Sequence, residues 1–507
     1  MDIFSNIALG LEIALTPVNL LYCFLGVFLG TFIGVLPGIG ALAAISMLFP
    51  ITYHLEPTTA LIMLAGIYYG TAYGGSTASI LLNIPGTSSS VVTCLDGYPM
   101  AQQGRAGVAL AMTAIGSFFG GVFGILVLSL FSPLISNSAL SFGPAEYFTL
   151  MVLGLIAASA ITEGSAAKGL AMVVLGILLA SVGMDPQSGI QRFTFGTLDL
   201  MDGLGMSALA MGLFGISEVI ASIRTKTDGT TATVTPHAVS MRSLIPTRDD
   251  MRRSWMPMLR SSSIGSFFGA LPGTGPSIAS FVSYAMEKRV SKTPERFGKG
   301  AVEGVVAPET ANNAADQTAF IPTLTLGIPG SATMALMIGA MMVHGIHPGP
   351  QMMTEQPAMF WGLVMSFWVG NVLLIILNLP LIGLWVRLLT IPYHLLFPAI
   401  VMFISIGAYS VRYSAFDVLT VAGFGALGYA MRIFAMPAAP LLLGFVLGPL
   451  IEQHFRRAMV LARGDLAAIV ERPISGVFVI ISVLLLGWSL WSTFRQTGKA
   501  KLVESEN

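Results

Sequence analysis

GTAYGGSTASILLNIPGTSSS occupies Gly70–Ser90, inside strongly apolar sequence, and is crowded with glycine, hydroxyl residues and a Pro-Gly pair. A second version, TLGIPGSATMA, stands at Thr325–Ala335, where Gly327-Ile328-Pro329-Gly330-Ser331 matches Asn83-Ile84-Pro85-Gly86-Thr87. Proline lacks a backbone N–H and disfavours helix at the residue before it, and glycine weakens helix further. Within hydrocarbon, backbone freed in this way survives only against protein or a wet cavity. Two such interruptions at matching places in two halves of a membrane protein point to a transport site.

The rest of the chain supplies the membrane. Of 507 residues, 54% are hydrophobic and 10% charged. Soluble domains carry about 25% charge, and apolar runs near the ~20 residues that cross a bilayer recur here throughout. The fold class expected is therefore an all-α polytopic membrane protein. The alternating segments of a membrane β-barrel are absent. Net charge is zero, which gives no reason to expect nucleic acid as a partner. Cys23 and Cys94 form no metal or redox pattern. The N-terminus has no basic signal-peptide region, so the first apolar segment is expected to remain in the mature protein.

Taken in order, residues 1–17 read as an interfacial segment and Val18–Leu36 as a span that ends in Leu36-Pro37-Gly38-Ile39-Gly40. Ala41–Tyr53 has the length of a half-helix. Thr58–Tyr73 precedes the broken stretch, and Asp96–Pro99 with Gln102–Arg105 reads as a polar turn. Twelve of the 25 Lys and Arg fall between Arg224 and Lys299, which makes residues 223–258 a cytoplasmic linker. Membrane repeats are expected at 18–222 and 259–452, followed by a C-terminal segment, 453–507, with a last span near 473–492. Gly269–Gly275 (GALPGTG) matches Gly34–Gly40 (GVLPGIG), Ser366–Gly370 matches Ser117–Gly121, and Ser414 aligns with Ser165. Ordered matches of this kind indicate an internal duplication, read here as inverted. One tension remains: Arg456, Arg457, Arg463 and Arg472 before the last span, and Arg495, Lys499 and Lys501 after it, both ask for the cytoplasm.

Several classes of chemistry have no motif. There is no phosphate-cradling GxxxxGK[ST] and no HExxH, and Ser165–Lys168 fits SxxK without partner motifs. No enzyme activity or cofactor is expected. The substrate-binding candidates are Asn83, Pro85, Gly86, Thr87, Ser88 and Ser89, with Gly327, Pro329, Gly330, Ser331 and Thr333. Amides at a restarting helix, and the adjacent hydroxyls, suit a carboxylate. The plain alternative is a kink lined by small residues that lets helices pack. Pro37, Gly38 and Gly40, with Pro272, Gly273 and Gly275, are candidate hairpin turns. Ion-coupling candidates are Ser76 and the face Glu309, Asn312, Asn313 and Asp316, spaced i, i+3, i+4 and i+7 behind a Pro308 suited to a first helical turn. That face is equally readable as the wet side of an interfacial helix. Lys168 and Asp417, at equivalent repeat positions, are expected to pair across the copies.

Over GIYYGTAYGGSTASILLNIPGTSSSVVTCLDGYPMAQQG (Gly66–Gly104) and APETANNAADQTAFIPTLTLGIPGSATMALMIGAMMVHGIHPGP (Ala307–Pro350), the chain resembles the large membrane subunit of the tripartite tricarboxylate transporters, the TctA type. The resemblance extends over about residues 20–450. It implies a bacterial inner-membrane importer of small carboxylates, driven by a sodium or proton gradient. It also implies two partners: a small membrane subunit (TctB type) and a periplasmic solute-binding protein (TctC type). A passive anion channel, or a membrane enzyme acting on a carboxylate, would explain the paired Pro-Gly breaks less well.

Overall fold

Glycine spacing decides how the first half packs. Gly26, Gly30 and Gly34 recur every fourth residue along the Pro17–Val35 helix, as do Gly66, Gly70 and Gly74 along Pro57–Leu82, the first core helix. The computed structural model describes residues 3–36, 39–161, 165–185, 187–227, 241–271, 275–389, 391 and 393–505. In it the two glycine stripes face each other in parallel: a methyl group on Gly26 would strike the Met63 carbonyl, on Gly30 that of Ile67, and on Gly34 that of Thr71. Small residues at this spacing let helix backbones approach closely. The first core helix therefore runs unbroken for 26 residues to Leu82 rather than stopping near Tyr73, because Gly70 and Gly74 serve packing and not termination. Gly30→Val is expected to cost about 3 kcal/mol or more through overpacking against rigid backbone. A thermal melt in detergent checks this; a wild-type midpoint would contradict the close approach.

The second half packs in the same manner. Gly265 and Gly269 of the Arg248–Gly269 helix lie against Ala311 and Ala315 of Val302–Thr318, the second core helix. Every residue from Val302 to Thr318 is buried, so the Glu309–Asp316 face is not the wet side of an interfacial helix. Pro308 lies inside this helix and not in its first turn. The carbonyls of Ala307 and Pro308 accept from Ser283 and Ser280, at 3.0 and 3.1 Å.

The two core helices cross antiparallel, Tyr68 meeting Asp316 and Ser76 meeting Glu309. Ala106–Ala139 runs beside the second core helix, with Gly116 and Gly120 against Thr310 and Gly124 against Ala314. Its 34 residues rise about 50 Å, more than the ~30 Å hydrocarbon core, so its ends lie on opposite sides. Arg105, at one end, pairs with Asp250 at 2.6 Å, on the side of the basic 242–300 segment. At the other end Arg472 pairs with Glu146 at 2.7 Å and Arg456 with Asp185 at 2.8 Å. The arginines before the Pro473–Ser505 helix are thus opposite the basic linker, and carboxylates neutralise Arg456 and Arg472 there.

Two further expectations are corrected. Asp96–Pro99 belongs to the Val91–Met100 helix, and the turn falls at Ala101–Arg105, where Gly104 has φ 77°. Lys168 donates to the Phe434 carbonyl at 2.7 Å, while Asp417 is held by Arg412 at 2.9 Å. Phe434 and Asp417 lie at opposite ends of one helix, Ala415–Ile433, roughly 25 Å apart by helical rise, so Lys168, held at the first, does not pair with Asp417 at the second. Among the described residues seven helices are long and apolar enough to cross a membrane. The β structure described is one two-residue antiparallel pair, Gly183–Met184 with Gln191–Arg192.

Candidate functional site

Both core segments end alike. The first core helix closes on Asn83 in the left-handed region (φ 56°), and Phe320–Leu326, which continues the second core, closes on Gly327 (φ 68°). Glycine and asparagine are the residues that tolerate this C-terminal geometry. Ile-Pro-Gly follows in each case, and the chain restarts from an extended residue, Thr87 or Ser331. Gly86 is wedged against Gly75 and the Gly34 carbonyl, where no side chain fits. Thr87 and Ser90 form a capping box, so the Thr87 amide is already taken by the Ser90 hydroxyl at 3.1 Å. The Ser331 hydroxyl accepts from the Met334 amide at 3.3 Å.

The breaks converge on one stretch. Ser88 Oγ is 2.7 Å from Ser277 Oγ, and a Cβ on Gly275 would lie 3.6 Å from Ser331 Cβ. Two serines that follow breaks some 240 residues apart in sequence thus flank Gly275–Ser277. Ser88 is exposed and Ser331 half-buried. Ser89 and Thr333 are buried; Ser89 bonds Thr87 at 3.0 Å. Asn83 is exposed on its cap, while Pro329 and Gly330 are buried and Pro85 is half-buried. Gly40 lies 4.0 Å from the Gly86 carbonyl by the same Cβ measure. Pro37, Gly38, Pro272 and Gly273 fall outside the described residues.

Beneath the breaks lie two buried carboxylates. Glu309 accepts from Ser76 at 2.7 Å and Thr93 at 2.5 Å. A cavity of about 10 Å³ bounded by Tyr73, Ser76, Thr113, Ser117 and Asn378 adjoins this hydroxyl cage, room for about one water. Asp316 Oδ1 accepts from Tyr68 at 2.5 Å. Asp316 Oδ2, both polar atoms of Asn312 and the Tyr69 hydroxyl are buried without partners. Asn313 instead donates back to the Glu309 carbonyl at 3.0 Å. Among the described residues neither acid has an ion-pair partner. A carboxylate buried without a protein cation needs a proton or a small cation to balance it. Oxygen donors, with no cluster of histidine or cysteine among the described residues, are the chemistry that hard cations take.

Sequence reasoning missed Tyr68, Tyr69, Tyr73, Thr93, Ser117 and Ser277. Three tyrosines in one apolar helix carry polar tips that require partners when buried, and that was the available signal.

Fold and site together define an all-α, multi-pass membrane protein built around paired interrupted helices and buried carboxylates. A model of the tripartite tricarboxylate transporter TctA family matches residues 20–443, and the chain belongs to that family. An uncharacterized 52.8 kDa protein of Agrobacterium vitis, named for the TAR-I ttuC' 3' region, is 50% identical over 506 residues, the full length of both chains. A second protein of that organism, named for the TAR-II ttuC' 3' region, is 53% identical over 242 residues, 48% of this chain and all of the relative. No solved structure matches.

Proposed function

We propose that this chain is the large transmembrane subunit of a secondary transporter that imports small carboxylates across a bacterial inner membrane. A tri- or dicarboxylate sits between the Ser88 and Ser331 tips. A sodium ion or proton travels with it through Asp316, Asn312 and Glu309. A periplasmic TctC-type protein delivers the solute, and a TctB-type subunit completes the membrane complex. The two halves are inverted copies that rock about the site, as alternating access requires.

The observation that carries this reading is the convergence of both breaks on Gly275–Ser277. The antiparallel crossing of the core helices supports the inversion. The missing nucleotide loop agrees with a gradient as the energy source. With two hydroxyl contacts removed, at roughly 1 kcal/mol each, Ser88→Ala plus Ser331→Ala should raise the KM for uptake about tenfold or more. Uptake by proteoliposomes containing the complex measures this; an unchanged KM would count against the site.

A further inference from the structure

At the Ala139 end of the molecule, opposite the basic 242–300 segment, lies a second and larger space of about 570 Å³. It is far larger than the cavity beside Glu309 and falls within the ~300–1,000 Å³ of small-molecule pockets. Its polar lining is Arg457, His454, His347, Gln453, Gln351 and Tyr147. Its floor includes Leu326 and Gly327, the residues at which the second core segment breaks, and the Pro348 carbonyl blocks any side chain on Gly327. One wall is fixed by Ser136, which donates to the Pro350 carbonyl at 2.9 Å.

The charges at this end set Arg457 apart. Arg192 and Arg456 are each tied to both Asp185 and Glu452, at 2.5 to 2.9 Å, and Arg472 is tied to Glu146 at 2.7 Å. The Gln187 amide and the Arg456 guanidinium hold the Asp185 carboxyl well below the usual carboxylate range. Arg457, the next residue, has no carboxylate partner among the described residues and lines the cavity. Beside it the His454 ring stacks on Tyr147, with centroids 5.1 Å apart, and its Nδ1 has no hydrogen-bond partner. An uncompensated guanidinium, two imidazoles and two carboxamides around one space are donors in search of an anion.

We propose that this cavity is an outer carboxylate site, in which a small di- or tricarboxylate binds Arg457, His454 and Gln351 before it reaches the second break. The proposal rests on carboxylate import and adds to it a waiting position on the face opposite the basic linker. The guanidinium takes one carboxylate in a two-pronged contact, and the imidazole and amide donors serve a second.

The test uses the full chain in membrane vesicles with Gln453→Cys as reporter and a membrane-impermeant thiol reagent. The native chain, in which Cys23 is buried and Cys94 half-buried, sets the background. Citrate or succinate should slow labelling of Gln453→Cys about fivefold or more, and inorganic phosphate or anionic lipid should not. Adding Arg457→Gln should remove the protection without moving the thermal midpoint, and alone it should raise the KM for uptake about tenfold. Absent protection, equal protection by phosphate or lipid, or protection that survives Arg457→Gln would each overturn the site. Protection without any uptake by the native complex would sink the import reading and leave this site standing. Uptake without protection would do the reverse.

Discussion

Replacing Asp316 with Asn is expected to reduce gradient-driven uptake about 100-fold or more while the protein still folds, since a lost charge partner in a dry site is worth about 3 kcal/mol. Asn is nearly isosteric with Asp and keeps an acceptor for the Tyr68 hydroxyl, so the contact between the core helices survives. The change removes the charge on Oδ2, which is buried and unpartnered beside Asn312. A carboxylate kept only for structure would be dispensable here, because burying a neutral amide costs less than burying an uncompensated charge. Exchange of labelled for unlabelled solute at equilibrium, which needs no net ion movement, should persist in this variant. Wild-type uptake by Asp316→Asn would remove Asp316 from the coupling path.

Asp96→Ala is expected to cost about 4 kcal/mol or more, since each buried donor left unsatisfied costs about 1–3 kcal/mol. Asp96 is fully buried, and its Oδ1 accepts from the amides of Gly298, Gly300 and Ala301 at 2.8 to 2.9 Å. Its Oδ2 accepts from the Tyr284 hydroxyl at 2.9 Å. One side chain thus ties the helix that follows the first break to the loop that starts the second core helix. Thermal unfolding of the purified protein measures the loss. Asp96→Asn, which keeps an acceptor, should fall between wild type and Asp96→Ala. If Asp96→Ala melts with the wild type, this tie is not what joins the halves.

Composition and the two Ile-Pro-Gly copies were enough to read a helical membrane protein with paired breaks, because both signals are local. The cost of charge in lipid acts on every segment alike, and proline acts on its own turn. Asp96 was opaque for the opposite reason. Asp-Gly-Tyr-Pro has the composition of a turn, yet partners some 200 residues away hold it in a buried helix. Tyr68 and Asp316 are 248 residues apart and meet only because the core helices cross antiparallel. Gly70 and Gly74 show how one residue type carries two meanings: the spacing was visible, but only the facing stripe on Pro17–Val35 reveals packing instead of a break. The matched positions Lys168 and Asp417 failed as a contact because correspondence between copies says nothing about proximity.

The most direct test is carboxylate uptake into proteoliposomes containing this chain and the proposed TctB-type subunit, with the proposed TctC-type binding protein outside. A tricarboxylate, a dicarboxylate and an aromatic acid should be compared while sodium and proton gradients are imposed independently. Accumulation against a gradient of at least one acid, dependent on the binding protein and on one of the two ions and lost in Asp316→Asn, is the expected result. Flux that only runs downhill, indifferent to both ions and to the binding protein, would contradict it.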